Sequence, residues 1–304
     1  MLKILVLGNS HGVDSSQMLG KIYRAEKPSQ KILLGRIYHS GCRLDQHVDF
    51  LTNNKGQYIY YKTDENGVWK RIKPKPLDAE QANGDIIDGA TMYDALADEK
   101  WDIVIMQTGS NSSGLIDTYN EDVQTIQTYV KQILGYTPKF YWHMSWAHPV
   151  EDIEGDAFKT VNTSWQFAEY YGNDQMTMYN AIANAVKTKI APDKSFSGIM
   201  PTGTAIQNAN SSYLRDADLY RDYTHASDLG RLIAGYTWYC TLEDTTLDAI
   251  KLTTIPKTVL KSYLEAGGTG DMVVTEKEAK IVAESVRNAL KTPYAVTQSA
   301  YTTK

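Results

Sequence analysis

Apolar residues in this chain fall into short runs separated by longer amphipathic stretches. Five runs, 2–7, 31–38, 101–107, 139–144 and 196–200, carry the β-branched and aromatic bias of buried strands. They read as nearly continuous apolar segments, the mark of parallel strands covered on both faces. Between them, helical periodicity predicts helices over 14–26, 43–54, 119–135, 156–190 with a break at Gly172-Asn173, and 226–242. Connections of this length suit right-handed crossovers. The pattern therefore predicts an α/β fold of three layers, α/β/α, with a mainly parallel central sheet.

Residues 56–73 break the rhythm. Two β-rich runs there flank Asn66-Gly67, a strong hairpin signal, and predict a small β-hairpin insertion decorating the sheet. Near the end, Thr275 with Glu278 three residues on forms a capping box that opens a C-terminal helix over 275–291. Gly267-Gly268-Thr269-Gly270 before it reads as a flexible joint, and 293–304 as a loosely held tail. No internal repeat or low-complexity tract interrupts the chain, so one α/β domain over 1–292 is expected.

Composition narrows the function classes. The 304 residues carry a formal net charge of −5 with acids and bases interspersed. Without a basic stripe or arginine-rich arm, nucleic acid is not the expected partner, and a neutral or polar small molecule fits better. Cys42 and Cys240 lie far apart and match no metal-ligand spacing, so two reduced thiols are expected and no metal or other cofactor. No apolar run approaches the ~20 residues of a transmembrane helix, and no leader-like stretch precedes the first strand. The reading is a cytoplasmic protein with no membrane partner, or a secreted or periplasmic one if a leader was removed. The pattern specifies no oligomeric state.

In an open parallel sheet, ligands bind beyond the carboxyl ends of the strands. The first strand ends in Gly8-Asn9-Ser10-His11-Gly12, which leads into a helix. Ser10 either caps that helix or presents a hydroxyl where free N–H groups and the helix dipole favour negative charge. Asp222-Tyr223-Thr224-His225, just ahead of the last core helix, supplies an acid three residues before a histidine. A hydroxyl nucleophile needs such a base, and the base needs a group to orient it. The pairing of these two segments favours a nucleophilic reading over two unrelated caps. A nucleotide-binding turn is disfavoured, because Gly8 and Gly12 lack the Gly-x-Gly-x-x-Gly spacing.

The segment Ile4–Ser10 resembles the first block of the SGNH (GDSL-type) hydrolase superfamily, with Asn9 where many members have Asp. Ile37–His47 resembles the second block and Asp222-x-x-His225 the last. The longer strings Leu219–Ser227 and Gly230–Tyr239 are similar to a bacterial branch of that superfamily known mainly as a domain of unknown function. The resemblance spans about residues 1–290 and implies a flavodoxin-like SGNH hydrolase fold. It implies a serine esterase in which Ser10 attacks a carbonyl, His225 moves its proton and Asp222 orients His225. The backbone N–H groups of Ser10 and Gly41 would form an oxyanion hole together with a side-chain amide from the third block. Here that block departs from Gly-x-Asn-Asp and reads Met106-Gln107-Thr108-Gly109-Ser110-Asn111. Gln107 or Asn111 can give the amide, and Gln107 is preferred because strand ends are better fixed than loops.

Trp146 and His148 follow the fourth strand and could line an acyl or sugar subsite. His11 could wall the same site or act as a rival base. Deacetylation of an acylated carbohydrate is the activity that the resemblance suggests. A catalytically weak glycan-binding protein on the same scaffold is the alternative, motivated by the variant third block.

Overall fold

The computed structural model describes residues 1–73, 89–150, 165–257, 260–262, 265–266 and 270–303. Residues 156–164 of the expected 156–190 helix and 267–269 of the glycine joint lie outside these residues. Strand β1 (Leu2–Gly8) is followed by helices α1 (Ser10–Gln17) and α2 (Leu19–Glu26), then by β2 (Ile32–Tyr38) and α3 (Leu44–Thr52). A hairpin of β3 (Ile59–Thr63) and β4 (Trp69–Lys73) comes next, as Asn66-Gly67 predicts, with Gly67 at φ +74°. Helix α4 (Met92–Asp98), β5 (Ile103–Met106), α5 (Asp122–Leu134) and β6 (Lys139–His143) complete the first half. Beyond it lie α6 (Trp165–Tyr171), α7 (Gln175–Ala185), β7 (Phe196–Met200), α8 (Thr202–Asn210), α9 (Asp216–Leu219), α10 (Asp228–Leu242) and α11 (Glu276–Lys291).

The seven strands form one sheet in the order β4-β3-β2-β1-β5-β6-β7. Pairs β2-β1, β1-β5, β5-β6 and β6-β7 are parallel, and the hairpin adds two antiparallel strands at one edge. Successive residues feed opposite cores, as the two-residue period of a strand requires. Ile4, Val6, Ile103 and Ile105 join one apolar cluster with residues of α2, α8, α10 and α11. Leu5, Leu7, Val104 and Met106 join the other, with residues of α3, α4, α5 and α7. This is the three-layer α/β/α arrangement. The chain leaves β1 first to one side, toward β2, and later returns on the other side as β5. That reversal makes the carboxyl end of β1 a topological switch point, the place where open α/β sheets take ligands.

Three details depart from the sequence pattern. The expected helix at 14–26 begins earlier, at Ser10, and breaks at Met18. In its last turns the Ser15 hydroxyl donates to the His11 carbonyl, and that of Ser16 to the Gly12 carbonyl, so side chains compete for the backbone acceptors. Helix α8 gives no apolar stripe because its buried residues are mostly small or polar: Thr202, Gly203, Thr204, Gln207 and Asn208 among them. The tail is not loose. Asn208 Oδ1 accepts the Thr297 N–H at 2.7 Å, Ser211 Oγ accepts that of Ser299 at 2.9 Å, and Tyr213 donates to the Tyr301 carbonyl at 2.8 Å. The break at Gly172-Asn173 occurs where expected, with both residues at positive φ, and Thr275 caps α11 with Glu278.

Central-strand packing leaves no room at Gly35 in β2. A Cβ there would stand 2.4 Å from Trp101 Cη2 and 3.2 Å from Leu5 Cδ1. Trp101 is wholly buried and cannot swing away. Gly35→Ala is therefore expected to destabilise the protein by about 1–3 kcal/mol, read as a lowered urea midpoint with an unchanged m-value.

Candidate active site

Sheet register sets the site. Gly8 pairs with Tyr38, and Leu7 with Met106, so the chain leaves β1, β2 and β5 side by side at one rim. Asn9, the first residue past β1, joins all three exits. Its Oδ1 accepts the His11 N–H at 3.0 Å and so caps α1. Its Nδ2 donates to the Thr108 carbonyl at 3.0 Å and to the Cys42 carbonyl at 3.3 Å. Ser10 is the first residue of α1 and half-buried. Its N–H falls among the first-turn donors that have no partner within the helix. Gly41 stands on the neighbouring β2 loop, exposed and at φ +60°. The Gly41 carbonyl packs against Gly109 so closely that a Cβ on Gly109 would sit 2.8 Å from it.

The second component is the loop between α9 and α10. Asp222 Oδ1 accepts the N–H groups of Thr224 at 3.0 Å and His225 at 2.7 Å, a local turn that explains the Asp-x-x-His spacing. The His225 ring folds back, with Nδ1 at 2.8 Å from Asp222 Oδ2 and 3.0 Å from Oδ1. Both contacts require Nδ1 to carry the proton and leave Nε2 as the basic nitrogen. Burial alone would push the Asp222 carboxyl up. The His225 hydrogen bond and charge, with Arg221, outweigh it and hold Asp222 well below the carboxylate range.

This loop is fastened to α1 from below. Asp14, fully buried, accepts the Ala226 N–H at 3.0 Å and pairs with Arg221 at 2.9 Å and Arg231 at 2.8 Å. Burial of Asp14 is opposed by those two cations, which keep it ionised. Ser10 and Asp14 are four residues apart and so neighbours on one face of α1. The loop that carries His225 thus docks on the helix face that begins with Ser10. The His11 ring, next to Ser10, lies edge-on to the His225 ring at 6.1 Å.

Gln107, Asn111, His11, Trp146 and His148 have other partners than those expected of them. Gln107 is buried behind the serine turn. Its Nε2 donates to Asn9 Oδ1 at 2.5 Å, and its Oε1 meets His143 Nδ1 at 2.5 Å. Gly8 lies against this side chain, where a Cβ would stand 2.6 Å from Gln107 Nε2; at Gly12 a Cβ would stand 3.0 Å from Val6 Cγ1 and 3.2 Å from Gln107 Oε1. Asn111 Nδ2 donates to Gln166 Oε1 of α6 at 2.6 Å. His11, Trp146 and His148, expected as substrate contacts, are only 0, 0 and 1% exposed. They form a support under the triad-like loop. Trp146 donates to the Thr224 carbonyl at 2.8 Å and stacks on His11 with centroids 4.1 Å apart. The Thr224 hydroxyl bridges His11 Nε2 at 3.0 Å and His148 Nε2 at 2.9 Å. Sequence reading missed Asp14, Arg221 and Arg231 altogether. A charged residue inside an otherwise buried first helix was the available signal.

Among the described residues, no group of three or more His, Cys, Asp or Glu is arranged to hold a metal ion. Cys42 and Cys240 are free and buried. No helix among them is long and apolar enough to cross a membrane.

Fold and rim together define a class: three-layer α/β proteins with a polar site at the carboxyl end of the first strand. Within it, the chain belongs to the DUF4886 family, described as a domain of unknown function, whose model matches residues 3–261. A DUF4886 protein of known crystal structure from Bacteroides uniformis superposes with a TM-score of 0.74 at 27% identity, covering 98% of this chain and 97% of that one. An acetylxylan esterase from Geobacillus stearothermophilus gives 0.44 at 12% identity, over 78% of this chain and 92% of that one. A candidate SGNH hydrolase from Slackia heliotrinireducens gives 0.43 at 17%, over 79% and 98%. No curated protein gives a significant match.

The histidines around the rim make stability depend on pH. Burial lowers His143 and His148 to about 3, and pushes His11 well below its ordinary value, with the charges of His225 and His148 adding to the effect. In the unfolded chain each titrates near 6.5. Between those values the unfolded state binds more protons, so stability is complete above pH ~6.5 and declines as pH falls toward 3. Each such group can contribute up to about 1.4 kcal/mol per pH unit in that window. Urea denaturation is expected to show a lower midpoint at pH 5 than at pH 7.5. Equal midpoints would contradict neutral buried imidazoles.

Proposed function

We propose that the protein is a serine ester hydrolase working through an acyl-enzyme intermediate. The observation that carries the reading is the Asp14 contact to Ala226, which ties the Asp222–His225 pair to the helix face headed by Ser10. In this reading His225 Nε2 takes the Ser10 proton as Oγ attacks the ester carbonyl. Asp222, kept anionic, holds the ring in the required tautomer and stabilises the imidazolium. The tetrahedral oxyanion is met by the backbone N–H of Ser10, at the positive end of α1, and by that of Gly41. Collapse expels the alcohol, which receives the proton from His225. Water then repeats the sequence on the acyl-serine. The substrate class favoured is an acetylated carbohydrate, which rests on the SGNH resemblance alone.

A second reading, a weak or inactive SGNH-fold glycan-binding protein, is favoured by one observation. Both side chains expected to give the third oxyanion donor are engaged elsewhere, Gln107 by Asn9 and His143, Asn111 by Gln166. One absent donor typically costs about 2.7–4 kcal/mol in the transition state.

The two readings separate on turnover. The esterase reading expects hydrolysis of a small acetyl ester and covalent labelling of Ser10 by a fluorophosphonate. Ser10→Ala should abolish labelling and lower kcat by at least about 10³-fold, and Asp222→Asn by about 10²–10⁴-fold. Glycan binding by calorimetry, without turnover or labelling in the parent, would replace the esterase reading with the binding one.

A further inference from the structure

We infer that Asp14 and Arg221 are positioning residues for the imidazole of His225, acting as a charged clamp that fixes a loop-borne base to the helix bearing the nucleophile. The inference rests on the reading of Ser10 and His225 as nucleophile and base, and adds to it what holds them in reach.

The clamp has an inner and an outer half. On the inner side, Asp14 Oδ1 takes both Nε and Nη2 of Arg231, each at 2.8 Å. Arg231 lies in α10, is almost wholly buried, and meets Asp228 through Nη1 at 3.4 Å. This half joins two helices. On the outer side, Asp14 Oδ2 takes the Ala226 N–H and Nη1 of Arg221. The same Nη1 also donates to the Ala226 carbonyl, and the Arg221 N–H donates to the His225 carbonyl at 3.0 Å. Arg221 thus grips the peptide units on both sides of Ala226, while Asp14 holds the intervening N–H. The guanidinium edge that remains, Nε, lies 3.9 Å from Asp222 Oδ2.

Packing alone does not account for this arrangement. A buried carboxylate with two arginines carries a heavy desolvation cost, and an apolar replacement of equal volume is often no less stable. What charge adds is direction. An aliphatic contact tolerates sliding, whereas Oδ2 shared by two donors fixes the Ala226 peptide in three dimensions. His225 is the preceding residue and shares that peptide unit, so its Cα is fixed with it. Because Asp14 lies one turn below Ser10, the clamp refers that Cα to the rigid body that carries the nucleophile. Reaction geometry is sensitive on this scale: a displacement of about 1 Å can cost about 10²-fold in rate.

The outer half can be removed without baring the buried charge. In Arg221→Gln, Asp14 keeps Arg231, and the Arg221 side chain is already 18% exposed. Sites are counted by fluorophosphonate stoichiometry, and kcat and KM are measured per labelled site on a small acetyl ester. Arg221→Gln is expected to lower kcat about 10-fold with KM within about twofold, while the thermal midpoint shifts by only a few degrees. Asp14→Asn, which retains an acceptor for Ala226, should lower kcat about 10²-fold where it folds. Restoring a cation with Arg221→Lys should recover part of the loss. A kcat per labelled site within twofold of the parent in Arg221→Gln, or a loss confined to KM, overturns the clamp. A parent that neither labels nor turns over overturns the serine-hydrolase reading itself, and the clamp with it.

Discussion

The side-chain amide of Asn9 is the joint on which the rim depends. It satisfies the first turn of α1, the loop after β2 and the loop after β5 with one planar group. Each of those segments ends a strand, and each would otherwise present backbone groups to a crevice with few partners. Asn suits the position because it offers a carbonyl and two N–H donors in fixed directions, whereas a carboxylate could only accept. An aspartate there would meet the Cys42 and Thr108 carbonyls with lone pairs. The Asn at this place is therefore matched to the loops around it, and in particular to Gln107, whose amide closes the circuit on Oδ1.

From that joint a polar layer runs under the rim without reaching solvent. Gln107 passes to His143, and His143 Nε2 reaches the Ser15 hydroxyl at 3.3 Å. His11, Thr224 and His148 form a second chain, with Trp146 as its floor. Such layers are costly if any member is left unpaired, and they specify one arrangement when most are satisfied. Among the described residues, His148 Nδ1 meets no hydrogen-bond partner. Burial holds the imidazoles of His11, His143 and His148 well below their ordinary pKa and keeps them neutral. His225 differs in that its Nδ1 meets the Asp222 carboxylate. That contrast is chemically meaningful. Of the four histidines grouped here, His225 alone has a carboxylate partner among the described residues, and its loop is the one that Asp14 fastens to α1.

How much of this was legible in the sequence follows from the kind of signal each part leaves. The parallel strands were readable because burial on both faces forces continuous apolar runs, as in Ile4–Leu7 and Ile103–Met106. The hairpin was readable from Asn66-Gly67, and the C-terminal helix from Thr275 and Glu278. Helix α8 was hidden because its partners accept small and polar residues, erasing the stripe. The Asp222–His225 pair was legible because a local turn dictates its spacing. Its supports were not. Asp14 and Arg231 are separated by 217 positions, and nothing local says that a carboxylate in one helix will meet a guanidinium in another. The burial of His11 and Trp146 was equally invisible, since an aromatic near a strand end can face either the crevice or the layer beneath it.

The fate of Gln107 bears on the chemistry more than on the fold. A strand-end amide looks like an oxyanion donor when only its position is known. Its amide here meets Asn9 and His143, and Gly8 leaves the space that it fills below the serine turn. In the proposed esterase, an amide in the layer beneath the crevice would lend rigidity to the Ser10 turn and not a direct electrostatic contribution. The two are not equivalent. A donor aimed at an oxyanion stabilises charge only as it develops, whereas a fixed turn would hold the two proposed backbone donors, Ser10 and Gly41, in place. An esterase built this way would lean on the α1 dipole and on the exact seating of its imidazole, which is where the buried charges of Asp14, Arg221 and Arg231 are concentrated.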